Sequence, residues 1–203
     1  MSCSIPQELI EQCIAFHGHS CPGLSIGIRA AEYAQARLNQ DGDAVLVCVT
    51  ETDMCGVDAI QFLTDCTVGK GNMIHRDYGK MAFSFFDRRT GAGVRLLLRP
   101  EARQDIDAAL APRQRAIRAG QATAEDEAAA AALRAQLQDR LMTLPLEELF
   151  AVQSLEDGLP RPAAILASLV CAACGEQTME SRTRRFGGQT LCIPCFNARE
   201  QKI

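Results

Sequence analysis

The chain has 203 residues, 47% of them hydrophobic and 23% charged, which suits one buried core plus a small satellite domain and excludes disorder throughout. A net charge of −4 and a pI near 5.4 exclude the dense Lys/Arg field that broad nucleic-acid or anionic-membrane attraction requires. No uninterrupted apolar run approaches the roughly 18 residues of a membrane span.

The opening Met1-Ser2-Cys3-Ser4-Ile5-Pro6 lacks the basic and apolar regions of a secretory signal, so a cytoplasmic location is expected. Thiols stay reduced there, and ten cysteines then point to metal ligands or reactive groups rather than a disulfide framework.

In chain order, apolar residues at helical spacing from Ser4 to Ala15 predict a first helix, with Ser4 and Gln7 as a capping box. The stretch His17-Gly18-His19-Ser20-Cys21-Pro22-Gly23 follows, holding two of the three histidines. A second helix carries Leu24, Ile28, Ala31 and Leu38 and ends in the turn-rich Asn39 to Gly42, with Pro22 in its first turn. Residues 44–50 read as a buried strand containing Cys48 as a core residue. Cys55 then falls at a strand-to-helix turn.

Met81 to Phe86 and Val94 to Arg99 read as strands joined by a charged, glycine-bearing hairpin loop. The architecture expected is α+β, a small mixed or antiparallel sheet covered by helices, plus a C-terminal four-cysteine zinc finger. From Glu101 the composition turns alanine-rich and helical. A helix runs to about Ala119, a break falls at Gly120, and Thr123 with Asp126 caps a second helix that Pro145 stops. Leu146 to Gln153 reads as a short further turn of helix. This insert, Glu101 to Gln153, is expected to pack or dimerise. The division expected is a metal-associated core at 1–100, a helical segment at 101–156, and a linker with the finger at 157–203.

Cys171-Ala172-Ala173-Cys174 and Cys192-Ile193-Pro194-Cys195 stand 17 residues apart, each pair a knuckle offering two corners of a tetrahedron. Four thiolates on zinc leave no open corner, so this site holds a fold and runs no reaction. Its spacing and its Cys-x-x-Cys-Gly-Glu start resemble the DksA/TraR type of zinc finger. Arg182, Arg184, Arg185 and Arg199 lack interleaved aromatics and read as a solvated face, so no nucleic-acid partner is expected.

The N-terminal cluster carries the functional expectation. Cys21 and Cys55 both sit at helix N-termini, where exposed N–H groups favour a thiolate. His17 and His19 lie close enough for at least one imidazole to join these sulfurs on zinc or another soft transition metal, with one coordination position left free. Glu51 and Asp53 are candidates to orient a histidine or shuttle a proton. In Gly69-Lys70-Gly71-Asn72 the glycines permit close approach of a ligand and Lys70 offers an anion contact, without Walker spacing.

Phe16-His17-Gly18-His19-x-Cys21-Pro22-Gly23, Cys55-x-x-Asp58-Ala59-Ile60-Gln61, Asp65-Cys66-Thr67-x-Gly69-Lys70-Gly71-Asn72 and Asp77-x-Gly79-Lys80 together resemble the E-subunit family of formylmethanofuran dehydrogenase over residues 10–100. The resemblance implies an α+β core with a metal-associated site, a trailing zinc finger, homodimers, and association with a molybdenum or tungsten oxidoreductase that reduces carbon dioxide to a formyl group on methanofuran. Many members occur without that enzyme. Asp65 replaces the usual glycine before Cys66, and the insert at 101–153 has no evident counterpart.

The reading is a metalloprotein with a site of His17, His19, Cys21 and Cys55. Cys21, Cys55, Asp53 and Lys70 are its candidate catalytic residues, Lys70 and Asn72 its cofactor contacts, and Asp58 lies nearby. It would serve as subunit or accessory of such an oxidoreductase or of its metal handling. Two rivals stay open: a non-catalytic zinc-finger interaction protein, and a thiol redox protein using Cys21 and Cys55.

Overall fold

The computed structural model describes residues 3–39, 42 and 45–199. Ala44 of the first expected strand, and Gln40 and Asp41 of the expected turn, lie outside them. Two compact units emerge, Met1–Pro162 and Ala163–Ile203.

The first unit is α+β. Helix α1 (Gln7–His17) leads to α2 (Pro22–Leu38), β1 (Leu46–Thr50), α3 (Gly56–Thr64), β2 (Met73–His75), β3 (Ala82–Asp87) and β4 (Gly93–Leu98). Helices α4 (Gln104–Arg118), α5 (Ala124–Thr143) and α6 (Leu146–Leu149) follow, then β5 (Phe150–Leu155). The five strands form one mixed sheet in the order β2-β1-β3-β4-β5, parallel between β1 and β2 and antiparallel elsewhere.

Two expectations change. The Ser4–Gln7 capping box does not form: Pro6 occupies the N-cap of α1, and the Ser4 N–H donates instead to Glu32 Oε1 at 2.7 Å. Leu146 to Gln153 is not helical throughout. Only one turn, α6, survives before the chain extends at Phe150 and pairs with β4, Leu98 against Phe150 through Gly93 against Leu155. The open edge of β4 offers a full ladder of backbone partners, and that outweighs the weak local preference of a few residues.

The sheet has two dissimilar faces because strand side chains alternate. Cys48, Phe83, Phe85, Val94 and Leu96 enter the main core with Ile26, Ile60, Leu137 and Leu141 of the helices. Val47, Val49 and Phe86 form a smaller cluster on the other face with Ile74, Leu155 and Leu159. Gly93 is required there: a Cβ on it would stand 2.5 Å from the ring of Phe86, its cross-strand partner.

The segment at 101–153 is built into this unit. The Thr123–Asp126 capping box starts α5 as expected. Its C-terminal carbonyls are collected by Arg29, whose guanidinium donates to the oxygens of Leu141, Met142 and Leu144 at 3.2, 2.6 and 2.9 Å. Arg29 is buried, and its Nε stands 2.6 Å from Glu32 Oε2. A cation at a helix C-terminus meets the negative end of the backbone dipole, and Glu32 balances its charge.

The second unit pairs β6 (Ser168–Val170) with β7 (Gln177–Met179), and β8 (Thr183–Phe186) with β9 (Gln189–Cys192), followed by α7 (Ile193–Asn197). Gly187 and Gly188, both at positive φ, make the two-residue turn between β8 and β9. Its apolar centre is Cys171, Leu191 and Cys192, with Phe186 edge-on to Phe196.

Candidate metal centre

Three helix ends converge at the N-terminal cluster. Helix α1 stops because Gly18 adopts φ 94° and returns its N–H to Ile14 O at 2.8 Å, leaving His17 on the last turn. Cys21 is the N-cap of α2, its Sγ accepting from the Leu24 N–H at 3.4 Å. Cys55 precedes α3 and is fixed by the turn after β1. There Thr50 Oγ1 donates to Thr52 O at 2.5 Å, and Thr52 Oγ1 accepts from the Met54 N–H at 3.3 Å.

Glycine brings α2 and α3 together. A Cβ on Gly27 would lie 2.1 Å from the Gly56 carbonyl oxygen, so the two backbones touch with nothing between them. A Cβ on Gly23 would lie 3.2 Å from that of Cys55. Both helix N-termini are thereby drawn to one point, with their cysteines at it.

Donor atoms of His17, His19, Cys21 and Cys55 all lie within 4.8 Å of one another. His17 Nδ1 stands 2.7 Å from Asp58 Oδ2, while Nε2 faces Cys21 Sγ at 3.9 Å. A carboxylate on Nδ1 fixes the tautomer that leaves Nε2 as a ligand. Bonds of roughly 2.0–2.3 Å to a tetrahedral zinc place neighbouring donors about 3.6–3.8 Å apart, so this spacing fits the ion. The His19 ring lies 4.5 Å from that of His17 and is exposed, so it guards the solvent side.

Helix position alone favours a thiolate at Cys55, but burial, then the neighbouring Cys21 thiol, push it above its ordinary range. A cation between the two sulfurs would reverse that balance.

Other sequence-predicted residues lie elsewhere. Glu51 does not orient a histidine: Arg95 grips it through both oxygens, at 2.6 and 2.9 Å. Asp53 is exposed at the start of the turn, and the carboxylate on His17 belongs to Asp58. Lys70 and Asn72 sit beyond the far end of the nine-residue α3, about 13 Å along its axis from Cys55. Lys70 pairs with Asp65 at 3.1 Å. Asn72 accepts from Thr67 N–H and donates to the carbonyls of Leu46 and Asp65, stapling its loop. Asp65 itself holds φ 58°, the left-handed conformation that glycine adopts at least cost.

Gln138 was not singled out by sequence, yet its Nε2 donates to Ser20 Oγ at 2.6 Å, so α5 steadies the loop between the two histidines and Cys21.

In the second unit the four Sγ atoms of Cys171, Cys174, Cys192 and Cys195 also lie within 4.8 Å, with Cys174 and Cys192 3.9 Å apart. Backbone N–H donors, that of Cys192 among them at 3.3 Å, draw the Cys171 thiol down to about 6. Cys195 is pushed up to about 12 by its neighbouring cysteines. One thiolate is thus prepared, and a zinc ion would supply the charge that keeps the remaining sulfurs ionised.

Residues 16–151 match the family model described as FmdE, molybdenum formylmethanofuran dehydrogenase operon. The chain belongs to the FmdE family. The match runs through the helical segment at 101–151. Residues 165–201 match the prokaryotic DksA/TraR C4-type zinc finger. A crystal structure of a tungsten formylmethanofuran dehydrogenase FmdE-like protein from Syntrophus aciditrophicus is similar over 94% of this chain and 91% of that one, at 25% identity and a TM-score of 0.60. A probable S-adenosyl-L-methionine-binding protein of Archaeoglobus fulgidus is 28% identical over 196 residues, 93% of this FmdE-family chain and 52% of that protein. The chain therefore spans about half the length of that curated relative. Among the described residues no helix is long and apolar enough to cross a membrane.

Proposed function

We propose that the core domain is a metal-binding module in which His17, Cys21 and Cys55 hold zinc or another soft transition metal, with His19 at the solvent-facing corner. The observation that carries this reading is the 4.8 Å grouping of four donor atoms with Asp58 locking the His17 ring. Two sulfurs and one nitrogen leave a fourth corner: open to water or substrate it is the arrangement of reactive zinc, and closed by His19 it is that of a structural site. Bound there, the metal supplies Lewis acidity. The chain's residues hold it, and Asp58 sets the imidazole tautomer.

Family membership and the Syntrophus aciditrophicus neighbour support a place as subunit or accessory of a molybdenum or tungsten oxidoreductase, or in its metal handling. Ten cysteines, none paired in a disulfide, are consistent with a reducing, cytoplasmic setting. Elemental analysis tests the core of the proposal: about two metal ions per chain in the wild type and about one after Cys55→Ala, the expectation for one closed and one open site. Unchanged stoichiometry would reject the second site.

A second reading, S-adenosylmethionine binding, draws on the Archaeoglobus fulgidus relative, whose similarity extends over nearly all of this chain. Equilibrium dialysis of labelled S-adenosylmethionine against the purified protein tests it, and absence of retention rejects it.

A further inference from the structure

The outer face of the sheet carries a cavity of about 220 Å³ that plays no part in the metal centre. Its floor is Val49, Ser84 and Phe86, with Glu51 and Arg95 at one end and Leu155 at the other. Arg76 and Tyr78, from the connection after β2, form one lip, and Asp157 with Gly158, just after β5, form the opposite one. Asp77, between Arg76 and Tyr78, does not line it.

The charges inside are balanced in number but not equally available to a ligand. Glu51 is buried, with both oxygens occupied by Arg95, and it also feels Lys80 and Arg76, which together hold its carboxyl below the usual range. Among the lining residues two cations, Arg76 and Arg95, face two carboxylates, Glu51 and Asp157. Because Glu51 and Arg95 saturate one another, the cation placed to meet a ligand is Arg76, exposed on its lip and across the cleft from Asp157. Beside it the floor is apolar, from Val49 through Phe86 to Leu155. A volume near 220 Å³ equals roughly seven waters at about 30 Å³ each, too small for a nucleotide and suited to a ligand of roughly six to nine heavy atoms.

We propose that this cleft is a second ligand site, taking a small monocarboxylate whose anion meets Arg76 and Tyr78 and whose short apolar body lies on Phe86, Val49 and Leu155. The proposal does not depend on the metal centre. Its carboxylate recognition is charge-assisted, and its apolar floor discriminates against wholly hydrophilic anions.

Titration of the isotope-labelled full-length protein with butyrate and benzoate, followed by amide NMR, tests it. Saturable shifts are expected at Ser84 and Gly158, with benzamide and inorganic phosphate leaving those resonances in place. Arg76→Ala, an exposed position that the core does not need, should weaken benzoate about tenfold, the loss of one charge-assisted hydrogen bond. Cys55→Ser should titrate as the wild type does. The proposal is overturned if neither carboxylate gives saturable shifts, if benzamide or phosphate moves the same resonances as strongly, or if Arg76→Ala binds benzoate unchanged.

Discussion

Asp58 lies 41 residues from His17 in sequence and 2.7 Å from it in space. Its carboxylate is the part of the centre that a linear reading could place nearby but not assign. Rarity made the ligands legible, since two of three histidines share a short stretch with Cys21. Which carboxylate reaches the imidazole depends on how α1 meets α3, and Glu51 and Asp53 were equally plausible from their places just before Cys55. Asp58→Asn preserves shape and removes the charge that fixes the His17 tautomer. It should weaken metal binding at this site by about 10–100-fold, measured by chelator competition, while the C-terminal site keeps its ion. The diverted carboxylate gives a pH prediction. Arg95 holds Glu51 ionised below its ordinary 4.5, so the pair's stabilisation is complete above that pH and is lost as pH falls through the lower folded-state value. Glu51→Gln should flatten the acid limb of a stability–pH profile followed by denaturant midpoint.

At the scale of elements, the α2–α3 crossing decides whether the cysteines meet. Alanine at a helical glycine normally gains about 1 kcal/mol in propensity. At Gly27 the added methyl would fall 2.1 Å from a rigid backbone oxygen, and overpacking of this kind costs about 1–3 kcal/mol or more. Gly27→Ala should therefore lower the thermal midpoint and empty the N-terminal metal site together, read by calorimetry and elemental analysis. The glycines were visible in sequence, but their partner across the crossing was not. Among the strands, β1, β3 and β4 follow from apolar, β-branched or aromatic runs bounded by turns. The three-residue β2 is too short to show a period, and β5 was hidden because Leu146-Glu147-Glu148-Leu149 continues a helical pattern up to its first residue.

For the whole molecule, the described residues divide at Pro162 into a unit with an extensive apolar interior and a second with few buried side chains, two of them cysteines. Such a small core needs an added staple, and the four sulfurs supply one. Removal of residues 163–203 should leave the first unit folded with about one metal ion, by circular dichroism and elemental analysis, as expected where a domain owns its core. Loss of the N-terminal ion on that truncation would show that the core's site depends on the missing segment. Within the first unit, the connection from β1 to α3 sets Glu51 at the outer cleft and Cys55 at the inner cluster, four residues apart and at most about 14 Å of extended chain. Met54 stands exposed on that stretch. Its terminal methyl, enriched with carbon-13, is a ready-made spectroscopic sentinel on the short bridge between the two chambers, and a probe of whether filling one is felt at the threshold of the other.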